Sequence, residues 1–171
     1  DVTNDSNDQH QLYRMAKMAK EALETDELEA LADAGYHDAK ELGKCEQNGI
    51  EAYVPEPERD AKTKAKGRFL RDAFRYDAKR TVYICPQGAE LAQAGNPCKQ
   101  NGRMWTRFKS RSDQCTACPL RDNCLSENTK IRHIKCSEYE DVTDRHRTRM
   151  ENAKGKMRER SGLVEHPFGT L

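Results

Sequence analysis

Apolar residues recur at three-to-four spacing early in the chain, at Leu12, Met15, Ala16, Ala19, Ala22 and Leu23. That period predicts an amphipathic helix running to about Leu23, with Asn7 and Asp8 as N-cap candidates in the turn-rich TNDSND stretch before it. The period then shortens. LEALAD, Leu28–Asp33, reads as a strand, and AGY turns the chain. HDAKELGKCEQNG reads as a second helix, capped by Asp38 and stopped by Gly49. IEAYVPEP, from Ile50, reads as a second strand closed by two prolines. Helix–strand–helix–strand order implies a parallel sheet.

From residue 56 to 138 the pattern changes. ERDAKTKAKGRFLRDAFRYD has no clean period and reads as loop. RTVYICPQG, GRMWTRFKS and KIRHIKCS read as three short strands, with most of the cysteines between them. Residues 139–160 return to a highly charged helix with few apolar positions, expected to break at Ser161-Gly162. The closing LVEHPFGTL is apolar around one carboxylate and reads as the start of a buried helix. The layout is therefore an α/β core over 1–55, an inserted segment over 56–138, and a returning helical part of the core over 139–171.

Composition adds a constraint. Leu, Ile, Val and Phe number 24 of 171 residues, about 14%. That is below the roughly 20% at which chains tend toward disorder, yet the net charge of +1 lacks the other half of that signature. Such a chain is expected to lean on a metal or on further strands. No apolar run approaches the ~20 residues of a membrane helix, and no signal-peptide pattern opens the sequence. Seven cysteines, an odd number, then favour thiols and metal over disulfides.

Four features could carry chemistry. Asp33 stands at the carboxyl end of a predicted strand, where open α/β sheets place their ligands, so it could hold a metal; it could equally cap the next turn. Glu165 sits in an apolar segment, where a carboxylate is costly to bury unless paired or metal-bound; the alternative is an ordinary surface glutamate. Cys115-x2-Cys118-x5-Cys124, with Cys85 in the knuckle-like YICPQG, has the spacing of a tetrahedral Zn²⁺ site. Cys98 is the rival for the Cys85 position, and a set of buried free thiols is the plain alternative. Cys45 and Cys136 read as ordinary helix and strand thiols, and His133 as a surface residue. Finally, two basic runs could face phosphates: Lys62 to Arg71, and the late-helix cations Arg145, Arg147, Arg149, Lys154, Lys156, Arg158 and Arg160. Interleaved acids make a solvated helix face the simpler expectation for the second run. Trp105, between Arg103 and Arg107, could stack on a base, but packing inside the inserted segment is expected.

LADAGY and, far downstream, VEHPFGT together resemble the DDE transposases of bacterial insertion sequences, in particular the branch whose glutamate lies in a Glu-His-Pro-Phe-Gly-Thr motif. VTNDSNDQHQL, YVPEP, FRYDA, YICPQG and CTACPLRDNC have counterparts there in the same order, so the resemblance spans essentially the whole chain. It implies a partial RNase H-like α/β fold, its first strands absent, interrupted by a small β-rich cysteine (zinc) insertion. It matches Asp33 to the second aspartate of the acid triad and Glu165 to the glutamate. The first aspartate would lie upstream of this sequence, so the chain reads as a C-terminal catalytic fragment, inactive by itself. The implied cofactors are a pair of Mg²⁺ (or Mn²⁺) ions held by Asp33 and Glu165, and structural Zn²⁺ held by Cys85, Cys115, Cys118 and Cys124. The implied partner is DNA, as transposon ends and target. A homodimer is compatible with the resemblance, a membrane is not, and a cytoplasmic, nucleoid-associated bacterial protein is expected.

Two readings compete. In one the chain is a catalytic domain for two-metal hydrolysis and strand transfer of phosphodiesters. In the other it is a zinc-stapled DNA-binding module without catalysis. A free-standing zinc-ribbon interaction protein ranks last, because it leaves the pairing of LADAGY with VEHPFGT unexplained. Convergence of Asp33 and Glu165 separates the first two.

Overall fold

The computed structural model describes residues 8–164, except 59 and 154. It divides into two compact units: Asp1–Pro57 with Tyr139–Leu171, and Glu58–Glu138.

The first unit is a helix-covered parallel pair of strands. Helix α1 spans Leu12–Ala22 and buries Leu12 and Ala16. Asp8 does not cap it; a 3-10 turn over Asp8–His10 leads in, and Gln11 stands at the N-cap position without a capping side-chain hydrogen bond. Asn7 lies outside the described residues. Strand β1, Leu28–Leu31, pairs in parallel with β2, Ile50–Tyr53, Leu28 opposite Ile50 and Leu31 opposite Tyr53. Helix α2, Ala39–Gln47, crosses between them. Asp38 caps it by accepting the Lys40 and Glu41 amides at 2.9 and 3.2 Å. Gly49 ends it at φ +64°, where a side chain would be strained and a Cβ would meet Asp26 O at 3.0 Å. Leu42, Cys45, Ile50, Ala52 and Val54 form the centre of the core, closed by Val142 from the returning helix.

That return is two helices. Helix α6 spans Glu140–Asn152 and α7 spans Lys156–Val164. The first helix ends at Asn152 with Ala153 as its C-cap, so the break comes before α7 rather than at Ser161-Gly162, which lies inside α7. Ala153 leaves helical geometry at φ −115°, ψ 39°, and α7 then runs beside β1.

The second unit is an antiparallel sheet. Its basic entry segment is not all loop: it holds a short helix α3, Ala61–Ala65, and strand β3, Arg75–Asp77. Strands β4 (Val82–Ile84), β5 (Glu90–Gln93), β6 (Cys98–Gln100), β7 (Arg103–Lys109) and β8 (His133–Ser137) follow. The order is β3-β4-β5-β7-β6, with β8 on the other edge of β7. Two short helices, α4 (Ser112–Thr116) and α5 (Arg121–Cys124), lie between β7 and β8. One sheet face buries Phe74, Tyr83, Leu91, Phe108, Ile134 and Cys136. Tyr83 and Phe108 meet edge to face at 5.0 Å, and the Tyr83 hydroxyl contacts Cys136 Sγ at 3.0 Å.

Candidate active site and thiol cluster

Asp33 stands two residues beyond the end of β1. The last sheet bond, Ala32 N–H to Tyr53 O at 3.1 Å, holds the chain to that point. Asp33 is extended (φ −82°, ψ 174°) and starts a 3-10 turn over Ala34–Tyr36, its Oδ1 accepting the Gly35 amide at 2.9 Å. Gly35 permits this approach, since a Cβ there would lie 3.0 Å from Oδ1. The capping role raised as the simple alternative is therefore real, but it uses only one oxygen. The other, Oδ2, faces Arg160 Nη2 at 3.5 Å, and the carboxylate is 55% exposed. Glu165 lies outside the described residues. The described path toward it is α7, which ends at Val164. Lys156, on the same helix, pairs with Glu29 of β1 and stands 5.3 Å from the Tyr53 ring.

In the second unit Cys85, Cys115, Cys118 and Cys124 all line one cavity of about 40 Å³. Cys98 does not; it sits on β6 opposite Trp105. None of the seven cysteines forms a disulfide. Cys85 begins a tight turn: its carbonyl accepts from Gly88 at 2.8 Å, and its sulfur accepts the Ala89 amide at 3.3 Å. Cys118 N–H bonds back to Cys115 O at 3.4 Å, and Ser110 Oγ contacts Cys115 Sγ at 3.0 Å. Burial pushes the Cys124 thiol up, the Arg132 guanidinium pulls it down, and the other three thiols push it up. Arg132 is spent on two carbonyls, Cys124 O and Phe69 O, each at 3.1 Å, and its Nε is buried with no hydrogen-bond partner. Among the described residues no group of three or more His, Cys, Asp or Glu side chains has the arrangement of a metal site.

Residues 84–171, just over half the chain, match the family described as transposase DDE domain. The chain belongs to that family. Comparison with curated proteins and with solved structures returned no match. Membership implies an RNase H-like fold, and the mixed α/β architecture of the DDE domain agrees with it. It implies DNA as partner and nuclease or strand-transferase chemistry as the general activity. No described helix is long and apolar enough to cross a membrane.

The late basic run of the DDE domain is mostly internally paired. Arg145 bonds Glu46 at 2.8 Å and Asp141 at 2.9 Å. Arg147 clamps Glu56 with two bonds of 2.8 and 3.0 Å and also reaches Asp144. Arg149 pairs with Glu46 and Glu51. Sequence reading supplied the nearby acids Asp141 and Asp144; Glu46, Glu51 and Glu56 come from α2, β2 and the segment after it, at separations no local pattern shows.

Sequence reading also missed a buried histidine pair in the same unit. His37 and His146 stack edge to face with ring centroids 5.5 Å apart. His146 Nε2 accepts the Val54 amide at 3.4 Å, which places its proton on Nδ1, a buried atom with no partner. Burial chiefly, then His37 and Arg149, push its pKa down to about 4. The expectation for Trp105 was wrong as well. Its side chain does not join the buried cluster but lies on the opposite sheet face, with Lys135 Nζ 4.3 Å from the ring.

Proposed function

We propose that this transposase DDE domain cuts and joins DNA phosphodiesters, with Asp33 and Glu165 as its metal-binding carboxylates. The observation that carries the proposal is the return of α7 to β1. It brings Arg160, 127 positions after Asp33 and five before Glu165, to 3.5 Å from the Asp33 carboxylate. A purely capping aspartate needs no such visitor.

Asp33 suits a hard divalent cation. Its half-exposed side chain stands at the carboxyl end of a strand, with one oxygen fixed by the Gly35 amide and the other facing Arg160. A Mg²⁺ or Mn²⁺ pair would supply charge stabilisation to the attacking and leaving oxygens of an in-line displacement. The chain's own part is to fix those acids: β1 and the 34–36 turn hold Asp33, and α7 delivers the segment bearing Glu165. In hydrolysis, water forms a bond to phosphorus and the 3′ oxygen leaves as a hydroxyl. In strand transfer that 3′-hydroxyl attacks a target phosphodiester and displaces another 3′ oxygen.

The second part of the proposal is Zn²⁺ on Cys85, Cys115, Cys118 and Cys124. Four thiols on one small cavity, an amide donated to Cys85 Sγ and an unpartnered buried guanidinium nitrogen at the wall all suit an anionic metal–thiolate group.

Iron-directed cleavage tests the acid pair. Protein loaded with Fe²⁺ and treated with ascorbate and peroxide should be cut beside residues 33 and 165, and excess Mg²⁺ should suppress both cuts. Cutting at only one of the two positions would refute their pairing.

A further inference from the structure

In the first unit, the turn that carries Asp33 is held at its far end as well. Tyr36 N–H bonds Asp33 O at 3.1 Å and His37 N–H bonds Ala34 O at 3.2 Å, closing residues 33–37 into one bonded turn. Asp38, next in the chain, caps α2. Between these two caps His37 is buried, and its ring meets His146 of α6 edge to face, the centroids 5.5 Å apart. His146 is 1% exposed and accepts the amide of Val54, the residue that follows β2, at 3.4 Å. The adjacent Arg147 clamps Glu56. Helix α6 thus grips the chain leaving β2 at two points, and the chain leaving β1 leans on the same imidazole. Packing alone does not account for a histidine at 146. Its buried Nδ1 has no hydrogen-bond partner, an orphaned group that a leucine would not leave.

We infer that His146 and His37 are positioning residues for Asp33: the ring pair holds the 33–37 turn against α6, so that the carboxylate keeps one fixed placement beyond the end of β1. The pair acts through the backbone of residues 34–37 and touches no reacting atom. His146 is the pivot, because the amide it accepts comes from the strand beside β1. Ala32 N–H bonds Tyr53 O on that same strand pair, one residue before Asp33 and one before Val54. The exits of both strands are therefore referred to a single buried side chain. Groups that orient a metal ligand in this way tune its affinity without contacting the ion. This role rests on the reading of Asp33 as a metal-binding acid.

The test uses the whole chain and Mn²⁺ alone, followed by electron paramagnetic resonance, beside hydrogen exchange of the Gly35 amide measured by nuclear magnetic resonance. His37→Leu fills the space but removes the ring. It should weaken Mn²⁺ binding by about 10–100-fold and speed exchange of the Gly35 amide, whose bond to Asp33 Oδ1 reports the turn. His146→Gln, which keeps an acceptor for Val54 and removes the other ring, should do the same, and it carries the comparison if the leucine variant does not fold. His37→Phe, which keeps a ring edge for His146, should restore both readings. A histidine that only fills the core would lower the melting temperature in these variants and leave both readings of the folded protein unchanged. That result would overturn the role, as would a phenylalanine variant no better than leucine. A parent chain that binds no Mn²⁺ would remove Asp33 from the metal site and this role with it. Mn²⁺ bound equally by the parent and by His37→Leu would sink the positioning role alone.

Discussion

Arg160 on α7 points a guanidinium nitrogen at Asp33 Oδ2 across 3.5 Å, while Asp33 Oδ1 holds the Gly35 amide. One carboxylate thus serves a turn and meets a distant helix. The two roles separate by substitution. Asparagine caps about as well as aspartate, so Asp33→Asn should melt within ~0.5 kcal/mol of the parent, whereas Asp33→Ala should lose about 1 kcal/mol. Arg160→Ala should cost no more than ~1 kcal/mol, because the pair is half exposed. Yet Asp33→Asn should abolish Mn²⁺ binding, followed by the free-ion signal in electron paramagnetic resonance. Retained Mn²⁺ affinity would remove Asp33 from the proposed site.

His146 gives the first unit an acid-sensitive core. Its folded pKa of about 4 lies below the ordinary value of 6.5, so the folded state resists a proton that the unfolded chain accepts. Its contribution to stability is complete above pH 6.5 and is lost as the pH falls toward 4. The loss is on the order of 3 kcal/mol, at 1.36 kcal/mol per unit. Urea melts at pH 7 and pH 4.5 should show it. His146→Gln, which cannot titrate, should flatten that difference, although it lowers stability at pH 7.

Tyr83 gives the second unit the opposite sensitivity. Burial, and then its bond with Cys136, push its pKa up to about 12. The folded state therefore keeps a proton that the unfolded chain releases near pH 10, and this contribution fades between pH 10 and 12. Tyr83→Phe should remove that alkaline component. At neutral pH it should cost about 1–2 kcal/mol, because Arg71 loses a 2.8 Å hydrogen bond to the hydroxyl.

What the sequence could reveal followed from range. Helices α1 and α2, both strands of the parallel pair and the Asp38 and Gly49 boundaries were legible, because period and capping are local signals. Strands β5 and β6 were not: ELAQ and CKQ are short and mostly polar, and only pairing with β7 makes them strands. The break in the returning helix was misplaced because Ser161-Gly162 looks the weaker pair, whereas the chain turns at Gly155. Asp33 was proposed from its position at a strand end and Glu165 from its motif. Arg160 as the partner of Asp33 and His37 as the neighbour of His146 had no local signature. Trp105 was misjudged because an aromatic among cations on a strand has two faces available, and only the register to β8 tells which one is buried.

The thiol cavity yields a prediction in which one cysteine acts as control for four. Cys85, Cys115, Cys118 and Cys124 share the cavity, while Cys98 stands on β6 away from it. If they hold Zn²⁺, the purified protein should carry one equivalent, and Cys118→Ala or Cys85→Ala should lose it, whereas Cys98→Ala should keep it. Loss of the metal should also unfold the second unit in preference to the first, since structural Zn²⁺ contributes on the order of 10 kcal/mol in small peptides and two of the proposed ligands, Cys85 and Cys124, pack against this unit's core cluster. Tyr83 and Trp105 report that unit optically, and His146 reports the other through its titration. Chelation should therefore shift the Trp105 emission while leaving the acid transition of His146 in place. Zinc retained in Cys118→Ala, or lost equally in Cys98→Ala, would show that the four thiols are simply buried neighbours.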